Sequence, residues 1–103
     1  MIVVVGRVRT DAERRTGLID IGQELAIASR QEPGCIGYAL HQDTEDENAF
    51  VFVEEWEDES ALQQHFATAH IADFMRAIGN FIVAEPDVRF HEVASSRTLA
   101  DLN

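Results

Sequence analysis

Four side chains between positions 54 and 70 could carry out proton-transfer chemistry together: Glu54, Trp56, His65 and His70. They lie in the stretch FVFVEEWEDESALQQHFATAHIADF, residues 50–74. A carboxylate, an imidazole and a large aromatic ring meeting in one pocket are the raw material of acid–base catalysis on an apolar substrate. Glu54 is the sharpest anomaly, because it shares a strand face with Phe50, Phe52 and Trp56. A carboxylate on an apolar face is costly unless paired. Burial also favours its protonated form, which suits an acid or a base. The structural alternative is a hydrogen bond to a helix N-terminus, or pairing with Arg7 or Arg89. His65 follows Ala61 and Leu62 on the helical face that must look at the sheet. There it is either a core histidine bonded to a carbonyl or, beside Glu54, a catalytic base. His70 falls at a break between helical segments, where a cap or a surface residue is the simpler reading. Trp56, Phe66, Phe74, Phe52 and Tyr38 could line an apolar cavity, with core packing the default for most of them. Trp56 is the best pocket wall of the five, because tryptophan is seldom fully buried and its N–H needs a partner.

Other chemistries are poorly served. All eight basic residues are Arg, so a lysine Schiff base is impossible. The lone Cys35 excludes an internal disulfide and any multi-cysteine metal site. With Gly34 and Gly37 nearby it reads as a small buried residue. His41 and His91 are strand residues without a visible partner. No HxH or HxxxH spacing occurs, and His65 and His70, five apart, are poorly spaced for one helical face. No metal ligand set is therefore expected. There is no glycine-rich phosphate loop and no GxSxG, and no cofactor is expected. A net charge of −11 opposes nucleic acid and anionic membranes. No apolar run approaches the ~20 residues that span a bilayer. The opening MIVVVGRVRT is too short in its apolar run for a signal peptide, so the chain reads as cytoplasmic.

The elements that must position these groups follow from periodicity and punctuation. At 103 residues the chain is one domain, small enough for oligomerisation to help its core. IVVVGRVR, residues 2–9, predicts a buried strand. Thr10 or Asp11 can cap a helix over 12–31, which Glu32-Pro33-Gly34 stops. Cys35–Gln42 and Ala49–Glu57 predict a hairpin around the polar loop Asp43–Asn48. Asp58 can cap a helix to about Thr68, a further helical segment runs to about Phe81, and Val88–Val93 predicts a last strand. The domain is placed at 1–94, with residues 95–103 a loosely held polar tail. The order is the β-α-β-β-α-β of ferredoxin-like folds: α+β, an antiparallel four-stranded sheet with helices on one face. The other face still carries Val51 and Val53, and a second copy by two-fold symmetry is its simplest cover.

The segment EPGCIGYALHQDTEDENAFVFVEEWEDESALQQHFATAHIADF, residues 32–74, resembles the antibiotic biosynthesis monooxygenase (ABM) domain. The matching pieces are Pro33-Gly34-Cys35 with Tyr38, Glu54-x-Trp56, the Ala61-Leu62-x-x-His65 helix start, His70 and Phe74. The resemblance implies a dimeric α+β barrel, a homodimer with a pocket between sheet and helices. It also implies oxidation of a quinol or an aromatic polyketide-like phenol by O₂ without metal, flavin or haem. Family members that degrade haem use an Asn on the first strand, which has none here. On this reading His65, oriented by Glu54, removes a phenolic proton while Trp56, Phe66, Tyr38, His70, Phe74 and Phe52 hold the ring. The same acid–base pair could instead isomerise a small carbonyl compound, or the dimer could bind a small ligand without turnover.

Overall fold

The structure, a computed structural model, describes residues 1–102. Its elements run β1 (Ile2–Arg9), α1 (Arg15–Ser29), β2 (Cys35–Gln42), β3 (Ala49–Trp56), α2 (Glu59–Phe66), α3 (Ala69–Ala77) and β4 (Asp87–Glu92). All strand pairs are antiparallel and the sheet order is β2-β3-β1-β4. The β-branched residues of β1 suit a central strand, and β1 has a neighbour on each side. The α+β ferredoxin-like architecture expected from the element order is the one observed.

Alternation along the strands divides the sheet into two faces. Val4, Val8, Phe50, Phe52, Glu54 and Trp56 are buried under the helices. Leu18, Leu25 and Ala26 of α1, Ala61 and Leu62 of α2, and Ile71 and Phe74 of α3 complete that core. α1 comes close to the sheet at Gly22, where an added Cβ would lie 2.6 Å from Leu40 and 3.3 Å from Phe52. On the opposite face Val3, Val5, Val51 and Val53 are only partly covered in the single chain. Edge strand β4 is exposed along its whole length. Val88 and Phe90 pair with Gly6 and Val4 and so belong to the helix side, where both stay exposed.

Helix boundaries differ from the sequence-based expectation by a few residues, and two of the differences have clear local reasons. α1 begins at Arg15 rather than 12, because Thr10 does not cap it. The Thr10 hydroxyl donates instead to the Phe81 carbonyl at 2.7 Å, tying β1 to the turn after α3. Asp11 accepts from the Arg14 N–H at 3.0 Å within a preceding turn. The helical stretch after Asp58 ends at Phe66, not Thr68. Thr68 instead accepts from the Ile71 N–H and donates to the His65 carbonyl at 2.7 Å. One hydroxyl thus closes α2 and caps α3, setting the angle between the helices that carry His65 and His70. Asp58 caps α2 as expected, accepting from the Ala61 N–H at 2.8 Å. Among the described residues no helix is long and apolar enough to cross a membrane.

Candidate active site

The rung of the sheet that holds Glu54 reads Tyr38, Glu54, Val4, Phe90 across β2, β3, β1 and β4. An irregularity between Cys35 and Gly37 brings Tyr38 into this register. Two residues along β3, on the same face, Trp56 donates its indole N–H to Glu54 Oε1 at 3.0 Å. That bond lets the indole be fully buried, at 0% exposure, with Glu54 at 8%. Trp56 is therefore core and not the pocket wall that its size suggested. Tyr38, Phe52 and Phe74 are core as well. Burial pushes the Glu54 carboxyl above its ordinary value, against the opposing pull of the Trp56 N–H, the nearby His65 and the Tyr38 hydroxyl. The Tyr38 phenol is raised too, by burial first and then by the neighbouring Glu54. Burial also raises the Cys35 thiol, which suits an inert residue better than a nucleophile.

Because Glu54 holds its proton more tightly folded than unfolded, ionising it costs stability. The loss begins as pH rises through its ordinary value of 4.5 and is complete above the raised folded value. Glu54→Gln keeps an acceptor for the indole but carries no charge. It should therefore be more stable than the parent at pH 8 and nearly equal to it at pH 4, by urea denaturation. A difference that does not change with pH would show that Glu54 is not held in this way.

His65 sits against the Trp56 ring at 4.6 Å between centroids and is 1% exposed. Its expected partner was Glu54, but the carboxylate that meets it is Glu32. The His65 Nδ1 to Glu32 Oε2 distance is 2.7 Å. His70 Nε2 reaches the same oxygen at 2.7 Å. Glu32 comes from the α1–β2 connection, read from sequence only as a helix stop. Gly34 holds that connection against α2. Its φ is +82°, and a Cβ there would lie 2.6 Å from the Ala61 Cβ. The spacing objection to His65 and His70 also fails, because they stand on different helices with the Thr68 break between them. His41 and His91 are exposed and take no part.

The arrangement has a clear chemical capacity. A neutral His65 that donates Nδ1–H to Glu32 carries its lone pair on Nε2, ready to accept a proton. Side-chain exposure rises from 1% at His65 through 10% at Glu32 to 28% at His70, so the chain of groups leads outward. His70 borders a cavity of about 200 Å³ with Glu24, Asp73 and Phe74. Phe66, expected inside the pocket, is 53% exposed. With Leu62, Ile2 and Phe90 it lines a groove of about 470 Å³ outside α2. The Phe66 and Phe90 rings are 6.1 Å apart there, and Phe66 is also 5.5 Å from the His65 ring.

Residues 1–77 match the family described as antibiotic biosynthesis monooxygenase. YcnE of Bacillus subtilis, a candidate monooxygenase by name, is 35% identical over 86 residues, covering 84% of this chain and 90% of that protein. The Synechocystis protein sll1783 is 30% identical over 98 residues, covering 95% of this chain and 67% of that one. A crystal structure of a candidate antibiotic biosynthesis monooxygenase from Deinococcus radiodurans superposes with a TM-score of 0.90 at 22% identity. The match covers 96% of this chain and 98% of that one, a likeness of fold.

Proposed function

The chain belongs to the antibiotic biosynthesis monooxygenase family, and from that premise we propose that it oxidises a phenol or hydroquinone with O₂, using His65 as base. The observation that carries this reading is the buried imidazole whose Nδ1 is engaged by Glu32, leaving Nε2 to take a proton. The groove lined by Phe66 and Phe90 supports an aromatic substrate, since its volume falls in the range of ~300–1,000 Å³ usual for small-molecule sites. Leu62 and Phe66 border that groove on the helix that carries His65, and the Phe66 ring lies 5.5 Å from the His65 ring.

Removal of the phenolic proton by His65 makes an anion that is a stronger reductant. One electron passes to O₂, and the carbon radical and superoxide combine to form a C–O bond at the ring. The O–O bond then breaks: one oxygen stays as a new carbonyl, the other leaves as water, and the ring has lost two hydrogens. Four electrons are accounted for by substrate and product alone. The protein contributes a dry site, orientation and the proton acceptor. The raised proton affinity of Glu54 suits the return of a proton to the departing oxygen. It also suits a second reading, isomerisation of a carbonyl compound by the same pair. Oxygen consumption over a panel of hydroquinones and polycyclic phenols separates the two, and an oxygen electrode reading no faster than the protein-free rate removes the first.

The active form in this proposal is a homodimer joined through the face bearing Val3, Val5, Val51 and Val53. The support is physical: partly covered valines on two central strands form an apolar surface that a second sheet covers well. Light scattering should give about twice the chain mass of 11.5 kDa, and Val53→Asp should reduce it to the single value. A well-folded parent monomer at micromolar concentration would contradict this.

A further inference from the structure

We infer that Glu32, His65 and His70 form a binding site for one divalent transition-metal ion. The inference rests on the placement of three side chains; an ion on His65 Nδ1 would put the ring's proton on Nε2, so the metal-bound form and the form in which His65 acts as base are alternative states of one site. One ligand atom from each of Glu32, His65 and His70 lies within 4.8 Å of the other two. His65 Nδ1 and His70 Nε2 both point at Glu32 Oε2, each 2.7 Å away. Bonds of ~2.0–2.2 Å to nitrogen and oxygen place tetrahedral ligand atoms about 3.3 Å apart. An ion therefore needs each nitrogen to draw back from the Glu32 oxygen by roughly half an ångström, within the reach of side-chain rotation, with the two nitrogens settling at the same ~3.3 Å separation.

The three ligands come from three separate elements that the fold already fixes. Glu32 stands on the connection that Gly34 seats against α2. His65 is in the last turn of α2 and His70 in the first turn of α3, joined by the Thr68 hydroxyl. The loss of freedom on binding is correspondingly small. Two imidazoles with one carboxylate select zinc, iron(II), nickel or copper over magnesium and calcium, which prefer oxygen ligands throughout. Three protein ligands leave at least one position for water or for a substrate oxygen. Glu24 and Asp73 line the cavity that His70 borders and give a cation an attractive way in.

The test is a calorimetric titration of chelator-treated protein with zinc chloride, alongside thermal unfolding with and without zinc. One ion per chain should bind and raise the unfolding temperature. His70 is partly exposed, so His70→Ala should fold normally and weaken zinc by about 100-fold or more, beyond the 10–100-fold typical of changes around a metal's ligands. Glu32→Gln should weaken it similarly. His41→Ala and His91→Ala, at exposed strand positions, should bind as the parent does, and magnesium in excess should not compete. Absence of zinc binding at micromolar concentration overturns the inference. So does zinc binding that His70→Ala leaves unchanged, which would place the ion on surface carboxylates. Oxygen consumption is not read in this experiment, so failure here and failure of the oxygenase proposal are separate results.

Discussion

His65→Ala should lower turnover of a phenol or hydroquinone by ~10² to 10⁴, the usual contribution of a positioned base, while circular dichroism shows the fold retained. The loss should fall on kcat, because the imidazole acts on the proton while other side chains hold the ring. Glu32 should matter nearly as much, for a specific reason. A glutamine there can donate from its amide to Nδ1, which stabilises the tautomer with the proton on Nε2 and removes the base. Glu32→Ala leaves the ring free to choose and should be the milder change in kcat. Glu54→Gln should cost less than His65→Ala if Glu54 only returns a proton late in the reaction. Undiminished turnover in His65→Ala would leave the family assignment standing and remove His65 from the chemistry.

Trp56→Ala should be the most damaging single change to stability. Truncating a buried tryptophan costs about 3–5 kcal/mol, against a total of about 5–15 kcal/mol for an ordinary domain. The indole is 0% exposed and its N–H holds Glu54, so the substitution also leaves a buried carboxylate without its donor. Urea denaturation should show a lower midpoint at unchanged slope. Trp56→Phe keeps most of the packing and loses only the hydrogen bond, about 1–3 kcal/mol for an unsatisfied buried group. A Trp56→Ala protein as stable as the parent but with a raised KM would return Trp56 to the role of pocket wall that its sequence context suggested.

The contrast between those roles marks where sequence and structure part. Strand alternation made Glu54 visible as an anomaly, and β1, β2 and β3 lie within a residue of their expected limits. The full burial of Trp56 depends on a hydrogen bond from its own side chain to the residue two before it, which alternation places on the same face but does not require. Glu32 was hidden because its contact with His65 spans 33 positions and depends on how a left-handed glycine seats a loop. Spacing rules for one helix also cannot see that Thr68 ends one helix and starts another. Phe66 lies outside the buried cluster for a related reason: a residue next to an inward-facing histidine on a helix must point elsewhere, here over the groove beside Phe90.

In the proposed reaction O₂ itself is the oxygen donor to an aromatic ring deprotonated at this site. The most direct test follows isotopically labelled O₂ through a single turnover with a hydroquinone that drives oxygen uptake. One labelled atom is expected in the ring product, with the other in water. A product that carries no label, or stoichiometric peroxide with an unoxygenated quinone, would contradict it.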